Sequence, residues 1–169
     1  MLRDLFIALV STFCFAIVFN IRGKNIIFAS FGGVVSWLTY KIAIHHGFDV
    51  VQASFISSLI FSAYSEIFAR ILKTPVTTIV ICGLIPLVPG SGMYYTMYAA
   101  VTGDVDKTLS LTLSTLACAG SLALGVILVS TITRLIYTAK NKVASKELFS
   151  HNKKLASITK NIKKNPPLK

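Results

Sequence analysis

The 169-residue chain is 54% hydrophobic and only 14% charged, with a mean hydropathy of +0.71 and a formal net charge of +11. Soluble domains carry about 25% charged residues, so the composition excludes an ordinary water-soluble globule and points to an integral membrane protein. The length suits one compact membrane bundle rather than two domains.

Five apolar runs, each near the ~20 residues that a spanning helix needs, follow one another along the chain. The first, residues 5–21, lacks a strongly basic start and a small-residue cleavage site, ending Val18-Phe19-Asn20-Ile21-Arg22. It therefore reads as a retained span rather than a signal peptide. The second, residues 26–44, carries Lys41 late, where a long side chain can snorkel to the interface, and His45 and His46 follow in a short loop as surface residues. The third, residues 50–69, places Ser54, Ser58, Ser62, Glu66 and Arg70 four apart, hence along one helical face. Glu66 is the one carboxylate inside a predicted span. Intramembrane acids are costly and face a cavity, the bundle interior or a partner. Glu66 either pairs with Arg70 one turn away or takes part in coupling or gating.

The fourth run, residues 75–101, is interrupted by Pro86, Pro89, Gly90 and Gly92. The fifth, residues 108–133, repeats small residues at Ala117, Ser121 and Gly125, a spacing that suits close helix packing. Cys14, Cys82 and Cys118 fall inside spans with no metal-ligand or redox spacing and read as small apolar packing residues. No metal and no cofactor is expected.

Past residue 133 ten basic residues, from Arg134 to Lys169, face only Glu147. The predicted organisation is a five-span membrane domain over residues 1–138 and a basic cytoplasmic tail over 139–169. Positive charge beside a span marks the cytoplasmic side and draws the tail to anionic lipid. Few aromatic residues interleave these lysines, and no motif supports nucleic-acid binding. With the tail inside, five crossings put the N-terminus outside, and the pairs Arg22/Lys24 and Arg70/Lys73 also fall inside. A re-entrant hairpin at the fourth run would spoil that agreement, so a full crossing is expected. The fold class is an all-α integral membrane bundle of five transmembrane helices, the fourth broken at Pro86–Gly92, with a basic tail.

The break carries the chemistry. Each proline removes a backbone donor, and exposed polar backbone survives in a bilayer only when buried in protein or facing a wet cavity. Transporters place substrate and ion sites at such breaks near the midplane. The half-helix that starts at Pro89-Gly90-Ser91-Gly92 offers free N–H groups and a positive dipole end, suited to a carboxylate. Ser91 adds a hydroxyl, and the glycines let a ligand approach the backbone. Tyr94, Tyr95, Thr96 and Tyr98 add hydroxyls for a polar substrate, or else cap a kink and fill helix contacts. Carbonyls near residues 83–85 are freed by the prolines and suit an ammonium or coupling cation. Asp104, just beyond, either caps the last span or guards the outer mouth. No catalytic constellation is visible: the Pro-Gly-Ser-Gly run lacks a Gly-Lys-Ser/Thr ending, and no histidine base lies in any span.

The run Ile85-Pro86-Leu87-Val88-Pro89-Gly90-Ser91-Gly92-Met93-Tyr94-Tyr95-Thr96-Met97-Tyr98, with Thr102-Gly103-Asp104 after it, closely resembles the short C-terminal membrane domain of the threonine/serine exporter family. The likeness covers roughly residues 1–138, and its specificity rests on 85–104. Length, span layout and motif position match the family's small subunit, made separately and working with a larger partner of the same family. The resemblance implies export of small carboxylates across the bacterial inner membrane, threonine and serine in fused members and succinate in some split ones. It also implies that this chain needs its partner; without one, a homo-oligomer is expected. The competing readings are a non-transporting membrane scaffold subunit and a small uncoupled channel.

Overall fold

The computed structural model describes residues 2–164, with side chains through residue 140. Its elements in chain order are α1 (Leu2–Val18), α2 (Asn25–His45), α3 (Val50–Ile71), α4 (Val76–Leu84), a 3-10 turn (Ile85–Leu87), α5 (Gly90–Val101) and α6 (Val105–Lys164). No strand occurs among the described residues. The chain divides into two units, Met1–Ser130 and Thr131–Lys169. The second holds the end of α6, and the side chains of the basic tail beyond Lys140 lie outside the described residues.

Four of the helices stop in the same way. Asn20, Gly47, Lys73 and Gly103 adopt positive φ, and each stands two residues beyond the last residue of its helix. In each case the following N–H reaches back five residues: Ile21 to the Ala16 carbonyl, Phe48 to Ala43, Thr74 to Ala69 and Asp104 to Ala99. This left-handed cap satisfies carbonyls that a helix end otherwise strands. It closes α1 at Val18, so that helix ends three residues before the run predicted over 5–21.

Among the described residues α2, α3 and the Val105–Lys140 part of α6 are long and apolar enough to cross a membrane. The α4–α5 pair makes a fourth candidate if it is one span. At 17 residues α1 lies at the lower edge of the spanning range, roughly 17–25. The axes on either side of the break differ by 51°. The chain is a multi-pass, all-helical membrane protein.

The centre of the first unit is α2, which packs on α1, α3 and α4. Small residues let it do so. A Cβ at Gly33 would collide with Thr12 of α1, and one at Gly83 of α4 would collide with Phe61 of α3. Phe61 is fully buried for that reason. Between α3 and α6 the seam is Ser58 against Gly125, where an added Cβ would overlap the Ser58 hydroxyl. The small-residue spacings on α3 and α6 are thus a packing ridge at these positions, as van der Waals contact in lipid requires.

Candidate functional site at the helix break

The break forms because two backbone donors are missing. In an unbroken helix residue 86 would donate to the Cys82 carbonyl, but Pro86 has no N–H. The Ile85 N–H takes that carbonyl one residue early, which tightens the chain into the 3-10 turn. Pro89 likewise donates nothing to Ile85. The Val88 N–H is instead shared between the Leu84 carbonyl at 3.1 Å and the Ile85 carbonyl at 3.4 Å. The Gly90 N–H then bonds Val88 O at 2.7 Å, and α5 begins with Met93 N–H to Pro89 O at 3.1 Å. Among the described residues this leaves the Ser91 and Gly92 N–H groups without an acceptor.

Side chains from two neighbouring helices anchor the end of α4. The Ser36 hydroxyl of α2 donates to Gly83 O at 2.9 Å, and the Ser57 hydroxyl of α3 donates to Ser36 O at 2.5 Å. The carbonyls of Cys82, Gly83, Leu84 and Ile85 therefore each have a donor within the protein. This differs from the sequence expectation that residues 83–85 present free carbonyls. The Ser36 hydroxyl of α2 is the reason at Gly83, and the shared Val88 N–H of the tightened turn is the reason at Leu84 and Ile85.

A cavity of about 190 Å³ opens against the break. The break contributes Pro86, Leu87, Val88, Pro89 and Ser91. Opposite them stand Trp37 and Tyr40 of α2, Val50 and Ser54 of α3, and Cys118 of α6. The volume lies below the 300–1,000 Å³ of drug-sized pockets, so it suits a small metabolite. The Trp37 Nε1–H is buried and has no acceptor, an arrangement that costs free energy unless a partner arrives.

A second polar cluster lies elsewhere on α3. Glu66 is 6% exposed. Its Oε1 accepts from the Ser130 hydroxyl of α6 at 3.0 Å, and Arg70 Nη1 lies 2.6 Å from its Oε2. The same nitrogen donates to the Glu66 carbonyl oxygen, so Oε2 is paired by charge without an aligned hydrogen bond. The pairing with Arg70 expected from the sequence is present. Ser62, one turn earlier, is fully buried with an unpartnered hydroxyl.

Residues 4–132 match the family model described as Threonine/Serine exporter, ThrE. The chain belongs to that family. No solved structure matches it.

Within this exporter-family chain the residues singled out from the sequence separate into three places. Pro89 and Ser91 line the cavity. Gly90 abuts it in sequence and has open space around it, with nothing within 4 Å of an added Cβ. At Gly92 the space is filled by Thr115 of α6, whose Oγ1 would stand 2.7 Å from a Cβ. The Thr96 hydroxyl donates to Gly92 O at 2.8 Å, a local helix bond. Tyr94, Tyr95 and Tyr98 are exposed on α5 (64%, 56% and 61%) and do not line this cavity. Glu66 is not brought to the break. It lies twelve residues beyond the cavity-lining Ser54, about 18 Å along α3. Asp104 accepts from the Lys107 N–H at 3.1 Å on its Oδ1, which makes it the N-cap of α6.

Sequence reasoning missed Trp37, Tyr40 and Asp4. The first two sit on α2 as ordinary aromatic residues of an apolar run, and the neighbouring Lys41 reads there as a snorkelling side chain. Asp4 precedes the predicted first span, yet it lies 3.3 Å from Lys41 Nζ. The hydrogen bond from Lys41 holds the Asp4 carboxyl below the usual carboxylate range. Lys41 thus has a partner within the protein and also stands over the Trp37 ring, 5.5 Å from its centroid.

Proposed function

We propose that the chain is the small subunit of an exporter for small carboxylates, threonine/serine-like or succinate-like, and that the ligand occupies the cavity at the break. The carrying observation is the coincidence of that cavity with Ser91 and two backbone N–H groups that have no acceptor. A carboxylate there would accept from the Ser91 and Gly92 N–H groups and from the Ser91 hydroxyl, at the positive end of the α5 dipole. Gly90 gives it room, Gly92 holds the half-helix against α6, and the tyrosines and Thr96 of α5 extend the site only in the assembled transporter.

The transporter is of the secondary type, driven by a proton or ion gradient, with Glu66 as the coupling group. A carboxylate buried between α3 and α6 suits that role because intramembrane acids mark such relays. It sits in a bacterial inner membrane with five crossings, N-terminus outside and C-terminus in the cytoplasm, where the basic tail meets anionic lipid. Asp104 stands at the outer end of α5. The partner is a larger subunit of the same family. Supporting this, only Ala99 of α5 is buried, while Met93, Tyr94, Tyr95, Met97 and Tyr98 are exposed. Phenol groups find no acceptor in hydrocarbon, so a protein surface suits this face better than lipid does.

The test uses Cys118, which lines the cavity, in a Cys14→Ser/Cys82→Ser background. Threonine or succinate should slow its reaction with a small thiol reagent, and Ser91→Ala should weaken that protection by roughly threefold to a hundredfold, the worth of a hydrogen bond to a charged group. Export in cells that also carry the partner should fall in parallel. Absence of protection by any small carboxylate, with export intact in Ser91→Ala, would move the site to the partner and leave this chain as a scaffold.

A further inference from the structure

A second cavity, of about 230 Å³, lies beside the first and shares two walls with it, Trp37 and Pro86. Its other lining residues come from α1: Asp4, Ile7, Ala8 and Ser11. Trp37 and Pro86 therefore form the partition between the two spaces. Lys41 stands over that partition, 5.5 Å from the Trp37 ring centroid and 3.3 Å from Asp4 Oδ2. The Lys41 side chain is 38% exposed and that of Asp4 is 30% exposed, so the pair lies at the surface of the bundle. The Trp37 Nε1–H in the partition is a buried donor without an acceptor. An indole N–H is a donor only, so whatever satisfies it must bring an acceptor.

We infer that the 230 Å³ cavity is a second binding chamber for a small carboxylate, with Trp37 as its inner wall and the Asp4–Lys41 pair as its latch. This rests on the reading of the break cavity as a ligand site. In the closed arrangement Asp4 occupies the Lys41 ammonium. A carboxylate entering the chamber competes with Asp4 for that ammonium. Asp4 is thus an internal competitor and Lys41 the ligand's own partner. Their removal should act on affinity in opposite directions. A pair that served structure alone would respond in the same direction to the loss of either member.

Trp37 is the sole tryptophan, so its emission reports on both cavities. The full chain in lipid vesicles is titrated with threonine and with succinate, glycerol serving as the uncharged control. A saturable emission change is expected with at least one carboxylate and none with glycerol. Asp4→Asn should raise the apparent affinity by about two- to fivefold, as expected for an exposed pair. Lys41→Gln should lower it roughly tenfold or more, the loss of a charge-assisted bond, and Lys41→Arg should restore most of it. Far-ultraviolet dichroism of each variant confirms that the helices are kept. Equal-direction effects of Asp4→Asn and Lys41→Gln overturn the latch, as does an emission change that ignores both. Cys118 protection without any Trp37 response overturns the second chamber while sparing the break site. The absence of both signals overturns the two readings together.

Discussion

Gly90 and Gly92 look equivalent in the sequence, yet the structure gives them opposite responses to one added methyl. A Cβ at Gly90 meets nothing within 4 Å, and its φ lies outside the left-handed region. Gly90→Ala should therefore leave stability unchanged or raise it by about 0.4–1 kcal/mol through the unfolded chain. A Cβ at Gly92 stands 2.7 Å from Thr115 Oγ1 and 3.4 Å from its Cγ2. The neighbour must move by several tenths of an ångström, which also disturbs the Thr115 hydroxyl bond to Leu111 O. Overpacking of that kind costs about 1–3 kcal/mol. Thr115→Ala removes both offending atoms and leaves a Cβ at 3.6 Å, an ordinary contact. The double variant should thus recover at least about 1 kcal/mol, within the range of coupling seen for touching residues. Unfolding by dodecyl sulfate in mixed micelles, followed by Trp37 emission, measures all four corners of the cycle. Full stability of Gly92→Ala, or no recovery on adding Thr115→Ala, would refute the close approach of α5 to α6. Export separates the roles: if Gly90→Ala is stable but transports poorly, the methyl intrudes on the ligand.

Glu66→Gln keeps an acceptor for Ser130, so assembly should survive while gradient-driven export falls severalfold. Export at the parental rate across external pH 6 to 8 would exclude a coupling role. Arg70→Gln strands a buried carboxylate and should cost about 3–5 kcal/mol, read as lower yield and earlier unfolding, with Glu66→Gln/Arg70→Gln recovering much of it. Because Lys41 holds the Asp4 carboxyl below its ordinary range, the pair is present above about pH 4 and lost only as pH falls through the lowered value. The pH dependence of export between 6 and 8, as distinct from its magnitude, should accordingly be the same in Asp4→Asn as in the parent. Cysteines introduced at Asp104 and at Lys140 should label from opposite sides of the membrane in intact cells, and labelling from the same side would remove the five-crossing arrangement.

The break was legible because its cause is local. Pro86 and Pro89 cannot donate, and no neighbour alters that. The small-residue ridge on α3 was legible for the same reason, since a four-residue spacing stacks side chains whatever they pack against. What the ridge meets was not legible: Gly125 opposes Ser58, but only the superposition of α3 and α6 reveals it. The helix ends divide in the same way. Gly47 and Gly103 advertise positive φ, whereas Lys73 adopts it without any such signal. The fate of the Gly83 carbonyl depended on Ser36, far away in sequence, and that of the next two on how the turn tightens around Val88. Trp37 and Tyr40 escaped notice because an aromatic residue in an apolar run carries no mark of facing a cavity. Asp4 escaped because its partner lies thirty-seven positions on.

The distance between Glu66 and the break constrains how the two can work together. Ser54 lines the cavity and Glu66 lies about 18 Å further along the same helix, so a proton at Glu66 is not in contact with a carboxylate in the cavity. Any coupling has to pass through α3 and the helices it touches. The seam with α6 supplies a path: Ser130 donates to Glu66 at one point, Ser58 nests on Gly125 at another, and Cys118 faces the cavity at a third. The Ser58–Gly125 contact is one of small residues, which permits sliding or tilting without a large loss of buried surface. Protonation of Glu66 would weaken the bond its Oε1 accepts from Ser130 of α6 and so loosen α3 on α6, changing the width of the cavity at Ser54 and Cys118. A two-state element biased from both ends is what the term coupling requires. Gly125→Val, which wedges α3 from α6 through Ser58, should therefore uncouple the two. Ligand should still protect Cys118, while export should no longer respond to the imposed gradient. Loss of protection and export together would show instead that the wedge had simply collapsed the cavity, and would place the coupling path outside this seam.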